Sequence, residues 1–535
     1  MVLNGNQASL AFHSKAMEPI TQFQAYIFDN DFGALFPELF LVSSGIFLLV
    51  YGVVYSTSKT KNYPLILNNI SWLSILVLIL TIILIINNPI NNASLLYNTL
   101  IIDDFTKFLK ILVLWSSFFS IYISIDYIKQ ESINAFEYIL LILFSTCSML
   151  FLVSSADFIS LYLAVELQSL CFYVLAAIKR NSEFSTEAGL KYFLLSAFSS
   201  GLLLFGCSLI YGFTGVTNFS ELGKIFTGGT LDILASTSSL PACELGMVFL
   251  LVGFLFKTTA APFHMWSPDV YEGAPTGVTA FFMITPKAAI FAVFLRVFFV
   301  GFYDFIVPWQ KILIICSLIS LIVGTLSALS QTRIKRLLAF SSIGHVGYLL
   351  AGFACGTIEG VQALLIYLFV YIFMNINIFA ILLCEMRRVS TFIQSGTNYG
   401  IKNVPRIKYI TDLAFLARTN PLLALTLTIT MFSMAGIPPL AGFYSKAFLF
   451  FATMSSNLYV LAIIGVLASV LSCFYYIRLI KIMYFEAPQT WCSFSRVPRE
   501  NALALAISLF VIMLLMAYPS PLYLLTHKVA LAICL

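Results

Sequence analysis

Along most of this chain, polar residues are short interruptions between long apolar runs. The run from Ser74 to Ile86 is apolar all round, with neither the stripe of a surface helix nor the alternation of a half-buried strand. A run with no polar side predicts a helix surrounded by protein and lipid. A bilayer core asks for about 20 apolar residues per crossing, and on that rule about fourteen segments qualify. They begin near Phe36, Pro64, Phe105, Asn134, Asp157, Glu187, Leu245, Pro275, Trp309, Lys335, Ile358, Asn420, Tyr459 and Ala502. Helices are the open-chain solution, because each backbone N–H and C=O must find a partner where there is no water. The expected fold class is an all-α polytopic membrane protein.

Two of these segments are interrupted. The seventh reads GFLFKTTAAPFHMW, with Pro262 in mid-run, and the twelfth reads TMFSMAGIPPLAGFYSKAFLF, with Gly436, Pro438 and Pro439 in mid-run. Proline removes a helix hydrogen bond and clashes with the preceding turn, so both segments are expected to be discontinuous. Breaks five crossings apart predict two five-helix repeats, crossings four to eight and nine to thirteen. An odd number of helices per repeat makes them inverted, and matching broken helices point to a transporter's ion site. Two proline-kinked packing helices are the plainer alternative. The expected organisation is a polar N-terminal segment of unassigned role (1–35), crossings one to three (36–133), a first repeat (134–301), a second repeat (309–486), and a last crossing with its tail (487–535).

Composition agrees with this picture: of the 535 residues, 60% are hydrophobic and 10% charged, against about 25% charged in soluble domains. The net charge of +5 matters less than where the cations fall. Loops after odd-numbered crossings hold Lys59, Lys61, Lys129, Lys179, Arg180, Arg333, Lys335, Arg336, Arg387, Arg388, Lys402, Arg406, Lys408, Arg418, Lys481, Arg496 and Arg499. Loops after even-numbered crossings, with their helix edges, hold Lys107, Lys110, Lys224 and Lys311. The positive-inside rule puts the odd loops in the matrix or cytoplasm and both termini on the opposite, intermembrane-space side. The seventh loop, with Asp269 and Glu272, breaks the pattern.

Some chemistry is excluded. No basic stripe with interleaved aromatics supports nucleic-acid binding. Most of the ten cysteines lie inside apolar runs and none forms a CxxC pair, so zinc and iron–sulfur sites are not expected. No phosphate-binding glycine loop, dinucleotide fingerprint or nucleophile elbow is present. The four histidines, His13, His264, His345 and His527, do not supply paired haem ligands in the apolar helices. The first 35 residues show no signal- or transit-peptide pattern.

What remains is a set of charges inside the apolar helices: Glu166 in the fifth, Lys191 in the sixth, Lys257 before the break of the seventh, Lys287 in the eighth, His345 in the tenth and Lys446 after the break of the twelfth. A central lysine costs roughly 2.5–3.5 kcal/mol on insertion scales, so each needs a reason. Glu166 and Lys257 could form one structural ion pair. Lys191, near its helix start, could snorkel to the interface. His345 could be a packing residue, and Glu385 beside Arg387 and Arg388 reads as an interfacial pair. As a set they read as a proton relay. A desolvated lysine gives up its proton more readily and a nearby carboxylate reverses that, so the protonation state follows the partner. Tyr367, Tyr371, Asn375 and Ser341 are candidates to extend the path.

The run FKTTAAPFHMWSPDVYEGAPTGVTAFFMITPKAA, Phe256 to Ala289, resembles the signature of the antiporter-like subunits of NADH:ubiquinone oxidoreductase, respiratory complex I. The likeness continues through SQTRIKRLLAFSSIGHVGYLLAG and MAGIPPLAGFYSK, while LYLAVELQSLCFYVLAAIKR gives it a mitochondrial flavour. The resemblance implies fourteen helices in two inverted repeats and proton translocation coupled to electron transfer from NADH to ubiquinone. It implies that Glu166 modulates the pump, Lys257 is the central group of the first half-channel, Lys287 bridges, and Lys446 serves the exit half. Lys191 and His345 take further places on the polar axis. It also implies a mitochondrial inner-membrane location and other membrane-arm subunits as partners. NADH, FMN, iron–sulfur clusters and ubiquinone would then sit on those other subunits, with no cofactor on this chain. A subunit of a cation/proton antiporter of the same superfamily is the alternative.

Overall fold

A computed structural model describes residues 6–55, 66–90, 92–131, 136–227, 239–384, 386–388, 407–414, 416–487, 492–494 and 497–534, with side chains described from residue 31 of the first helix onward. It is helical nearly throughout. The helices are α1 (Asn6–Tyr55), α2 (Ile66–Ile86), α3 (Asp104–Gln130), α4 (Glu137–Ser154), α5 (Phe158–Ala176) and α6 (Glu183–Thr214). The seventh crossing is split into α7 (Ser239–Thr258) and α8 (Trp266–Gly273). There follow α9 (Thr276–Gly301), α10 (Tyr303–Leu329), α11 (Ile334–Ala354) and α12 (Ile358–Leu382). The twelfth crossing is split into α13 (Pro421–Ala435) and α14 (Ala441–Ser455), and α15 (Tyr459–Phe485), α16 (Arg499–Ala517) and α17 (Ser520–Cys534) complete the chain.

Thirteen helices among the described residues are long and apolar enough to cross a bilayer. The remaining crossing is the pair α13 and α14, each too short alone. Both expected discontinuities are therefore present. The first crossing, expected from near Phe36, spans Asp31–Tyr55, at the end of a helix whose backbone runs from Asn6. The tail after the last crossing is a further helix, α17, tied to the body by Lys528 on Asp104 at 2.8 Å and by Gln362 on the Tyr523 carbonyl at 3.1 Å.

Packing follows from small residues. A Cβ on Gly324 of α10 would lie 2.5 Å from the Gly344 nitrogen of α11, so these two helices cross backbone to backbone. Close approach at glycine gives apolar helices the contact that hydrophobicity cannot provide in lipid. The most enclosed helices are α9, α11 and α12, at the centre of the bundle, whereas α2, α6, α15 and α16 turn large apolar side chains outward. Two small antiparallel ribbons close opposite loop regions, Ala93–Leu95 with Leu100–Ile102 and Met386–Arg388 with Cys492–Phe494. Lys59, Lys61, Glu385, Lys402, Arg406 and Arg496 of the odd loops lie outside the described residues.

Candidate functional site

Each broken crossing ends its first half on a residue in the left-handed region. In the twelfth this is Gly436, at φ +86. The Gly436 N–H donates to the Ser433 carbonyl at 3.0 Å and the Ile437 N–H to the Phe432 carbonyl at 3.1 Å, the paired bonds of a Schellman turn. That leaves the Met434 and Ala435 carbonyls, and Lys446 Nζ reaches back from α14 to donate to both at 2.9 Å. All four orphan carbonyls of the helix end are thereby satisfied. The ammonium also lies 5.2 Å from the Tyr348 ring centroid. A Cβ on residue 436 would come within 2.9 Å of Lys446 Cδ, so glycine serves both the turn and the lysine.

In the seventh crossing the left-handed residue is Thr259, at φ 68. The Ala260 N–H donates to the Leu255 carbonyl at 3.0 Å, and the Phe256 carbonyl accepts from the Thr259 N–H at 3.1 Å and from the Trp266 indole at 3.2 Å. Lys257 does not turn back to this helix end as Lys446 does. Its ammonium donates to Ser196 Oγ of α6 at 2.7 Å. Glu166 is close enough to act on it electrostatically, yet no ion pair joins the two. Instead Ser169 Oγ contacts Glu166 Oε2 at 3.3 Å, and Glu166 Oε1 is buried without a partner. The closed structural pair considered from sequence is not formed here.

Lys257 and Lys287 both face a cavity of about 30 Å³, lined also by Gln168, Ser169 and Tyr271. A water needs roughly 10–15 Å³ on that measure, so there is room for about two. From the far side of the cavity Lys287 donates to the Tyr371 hydroxyl of α12 at 2.8 Å. The Tyr371 ring sits 5.4 Å from the imidazole of His345. His345 is held between two hydroxyls, with Nδ1 2.6 Å from Tyr367 and Nε2 3.1 Å from Tyr476 of α15. Tyr367 packs against Tyr348, and Tyr348 underlies Lys446. Lys257, Lys287, His345 and Lys446 therefore stand on one buried line through the centre of the bundle.

Lys191 is not on that line. Its side chain is 41% exposed and pairs with Glu187 at 2.7 Å and Asp269 at 3.1 Å. Asp269 also accepts from Arg336 at 2.6 Å, while Glu272 meets Arg333 and Arg336. The seventh loop's acids, anomalous in the charge pattern, neutralise cations of α6 and α11. Burial pushes the Asp269 carboxyl upward, but hydrogen bonds from Arg336 and Lys191 outweigh it and hold it below the usual value. Beside this network a basin of about 370 Å³ opens on the odd-loop side, lined by Glu131, Lys179, Arg333, Lys335 and Lys408 among others.

Tyr476, Tyr348 and Ser196 escaped the sequence reading, since nothing in a tyrosine's or serine's own neighbourhood distinguishes it from packing. Lys110 was misplaced: it is not a loop-edge charge but is buried against Glu38 at 2.6 Å. Arg296 of α9 is buried against Asp103 at 2.9 Å. Among the described residues no group of three or more histidines, cysteines or acids is placed to hold a metal.

Comparison with known proteins bears on what this line belongs to. Residues 155–472 match the family described as NADH:quinone oxidoreductase/Mrp antiporter, transmembrane. The chain belongs to this family. Over 95% of its length this family member is 57% identical to NADH-ubiquinone oxidoreductase chain 2 of Marchantia polymorpha, of which it covers 100%. It superposes on a chain of respiratory complex I from Thermus thermophilus with a TM-score of 0.73 at 27% identity, covering 91% of this chain and 98% of that one. A chain of the Mrp complex from Dietzia shares the fold, with a TM-score of 0.75 at 20% identity over 94% of this chain and 97% of that one.

Proposed function

We propose that this chain is the second antiporter-like subunit of a proton-translocating NADH:ubiquinone oxidoreductase, set in the membrane arm of that complex in the mitochondrial inner membrane. Its partners are the other membrane-arm subunits and the bilayer. NADH, FMN, iron–sulfur clusters and ubiquinone belong to other subunits, and this chain carries no redox centre. Both termini lie on the intermembrane-space side, a reading supported by the charge bias of the loops.

The observation that carries the reading is the buried line from Lys257 to Lys446, four ionisable groups inside helices that apolar residues would build more cheaply. In this reading Glu166 sets the charge state of Lys257, and Lys257 exchanges a proton with Lys287 through the cavity between them. Lys287 hands on through Tyr371 and His345, and Lys446 releases at the exit half. Lys191, in its network with Asp269, serves the odd-loop mouth. The two repeats span 134–301 and 309–486. A free-standing antiporter has the same fold in its favour, but the 57% identity lies with an oxidoreductase chain.

The composition of the native assembly tests this. The chain is expected to co-purify with flavin- and iron–sulfur-bearing proteins and to support proton uptake on NADH oxidation. A native assembly of defined mass lacking both would overturn the reading.

A further inference from the structure

The charges at the opening of α3 stand apart from the buried line. Asp103, Lys107 and Lys110 fall at i, i+4 and i+7, one stripe of a 3.6-residue helix that starts on the even-loop side. Each end of the stripe meets another helix. Asp103 accepts from Arg296 of α9 at 2.9 Å, and Lys110 donates to Glu38 Oε1 of α1 at 2.6 Å. Between them Lys107 donates to the Asn88 carbonyl at 3.1 Å. Asp104 on the flank meets Lys528 of α17, and the Cys147 thiol of α4 is a further titratable group near Glu38.

Two polar atoms of this set have no protein partner, Glu38 Oε2 and Arg296 Nη1, although both residues are almost wholly buried. A bare buried carboxylate oxygen is costly, and ordered water is the ordinary remedy. The outer end of the stripe, Asp103, is 26% exposed. Burial pushes the Asp103 carboxyl above the usual aspartate value, against the pull of the Arg296 guanidinium.

We propose that Glu38 and Lys110 form a second, hydrated proton-exchanging site, supplied with water from the even-loop side along the Asp103–Lys107–Lys110 stripe. Hydronium at Oε2 gives its proton to the carboxylate, leaving water and a carboxylic acid beside the Lys110 ammonium. Return of that proton to water restores the ion pair. The site lies in α1 and α3, outside both repeats, and is separate from the Lys257–Lys446 line.

Thiol labelling in intact membranes tests the proposal, because a water-soluble thiosulfonate reacts with a hydrated thiolate and not with a dry thiol. Thr106→Cys sits beside the stripe and leaves the ion pair intact. Leu114→Cys lies one turn beyond Lys110 on the same face, and both positions are fully buried. Thr106→Cys is expected to react about tenfold or more faster than Leu114→Cys, and only with reagent applied on the even-loop side. Glu38→Cys, compared with the buried Leu41→Cys, gives the same reading at the pair itself. Equal, slow rates at Thr106 and Leu114, or at Glu38 and Leu41, mean a dry structural lock and overturn the proposal. The labelling requires no turnover, so it stands or falls independently of the pumping reading.

Discussion

The two broken crossings end in the same turn and use their lysines in opposite ways. Aligned on the left-handed residue, Lys257 occupies the place of Met434, one of the two residues whose carbonyls hold Lys446. In the seventh crossing an indole adds a bond to the Phe256 carbonyl, and the lysine faces a serine and a cavity. In the twelfth crossing the lysine is itself the cap. A lysine held by two helix-end carbonyls cannot move its charge without disturbing the helix, whereas one held by a single hydroxyl can. On the proposed path, the first break suits exchange and the second ties charge to backbone structure.

The largest test of this contrast is Lys446→Met against Lys257→Met. Both are expected to abolish or strongly reduce proton uptake per NADH in the assembled enzyme. Lys446→Met should in addition lower thermal stability, since each orphaned carbonyl costs on the order of 1–3 kcal/mol. Lys257→Met should leave the melting temperature nearly unchanged. Equal destabilisation by both would remove the distinction.

Next in size is the cycle of Glu166→Gln, Lys257→Met and their double variant. Each single change should impair coupled turnover, and the double should be much less than additively worse, because either change breaks the same unit. A structural pair would instead lose assembly in the singles and regain it in part in the double. Normal pumping by either assembled single variant would defeat the gating role of Glu166.

The left-handed residues give a smaller and reciprocal pair. Gly436→Ala should destabilise by about 1–2 kcal/mol from its backbone conformation alone, and its Cβ should displace Lys446, lowering turnover. Thr259→Gly should do the reverse and stabilise by about 1 kcal/mol, because a β-branched residue at positive φ is strained. A thermal-unfolding series of the assembled variants reads both signs. A destabilised Thr259→Gly would show that the Thr259 side chain, not glycine-like freedom, holds that turn.

The crossings and both breaks were legible because lipid allows few solutions: long apolar runs must be helices, and proline within them must interrupt. Lys257, Lys287 and Lys446 were legible for the same reason, being too costly to be incidental, whereas Lys191 lies in an exposed ion-pair network. What could not be read was partnership across the bundle. Lys110 looked like a helix-edge charge because its sequence neighbours Asp103, Asp104 and Lys107 are polar, and only the approach of α1 makes it buried. Glu166 and Lys257 looked like a pair because opposite charges in lipid should meet, but Lys257 donates to Ser196, and Glu166 accepts from Ser169 and keeps one oxygen unpartnered. Tyr476 lies 131 residues from His345, and no local pattern ties them.

On the proposed proton path, the imidazole clasped between Tyr367 and Tyr476 has a kinetic consequence. A neutral ring has one donor and one acceptor nitrogen, so a proton arriving at one side leaves from the other and the tautomer is inverted. The two hydroxyls turn with it. After a single passage the row of dipoles faces backwards, and it will not conduct again in that direction until the ring flips or the hydroxyls rotate. Packed at 4% exposure against Tyr371, the ring has little room to do so unaided. On the proposed path this segment would transmit one charge and then need movement of its surroundings to rearm it.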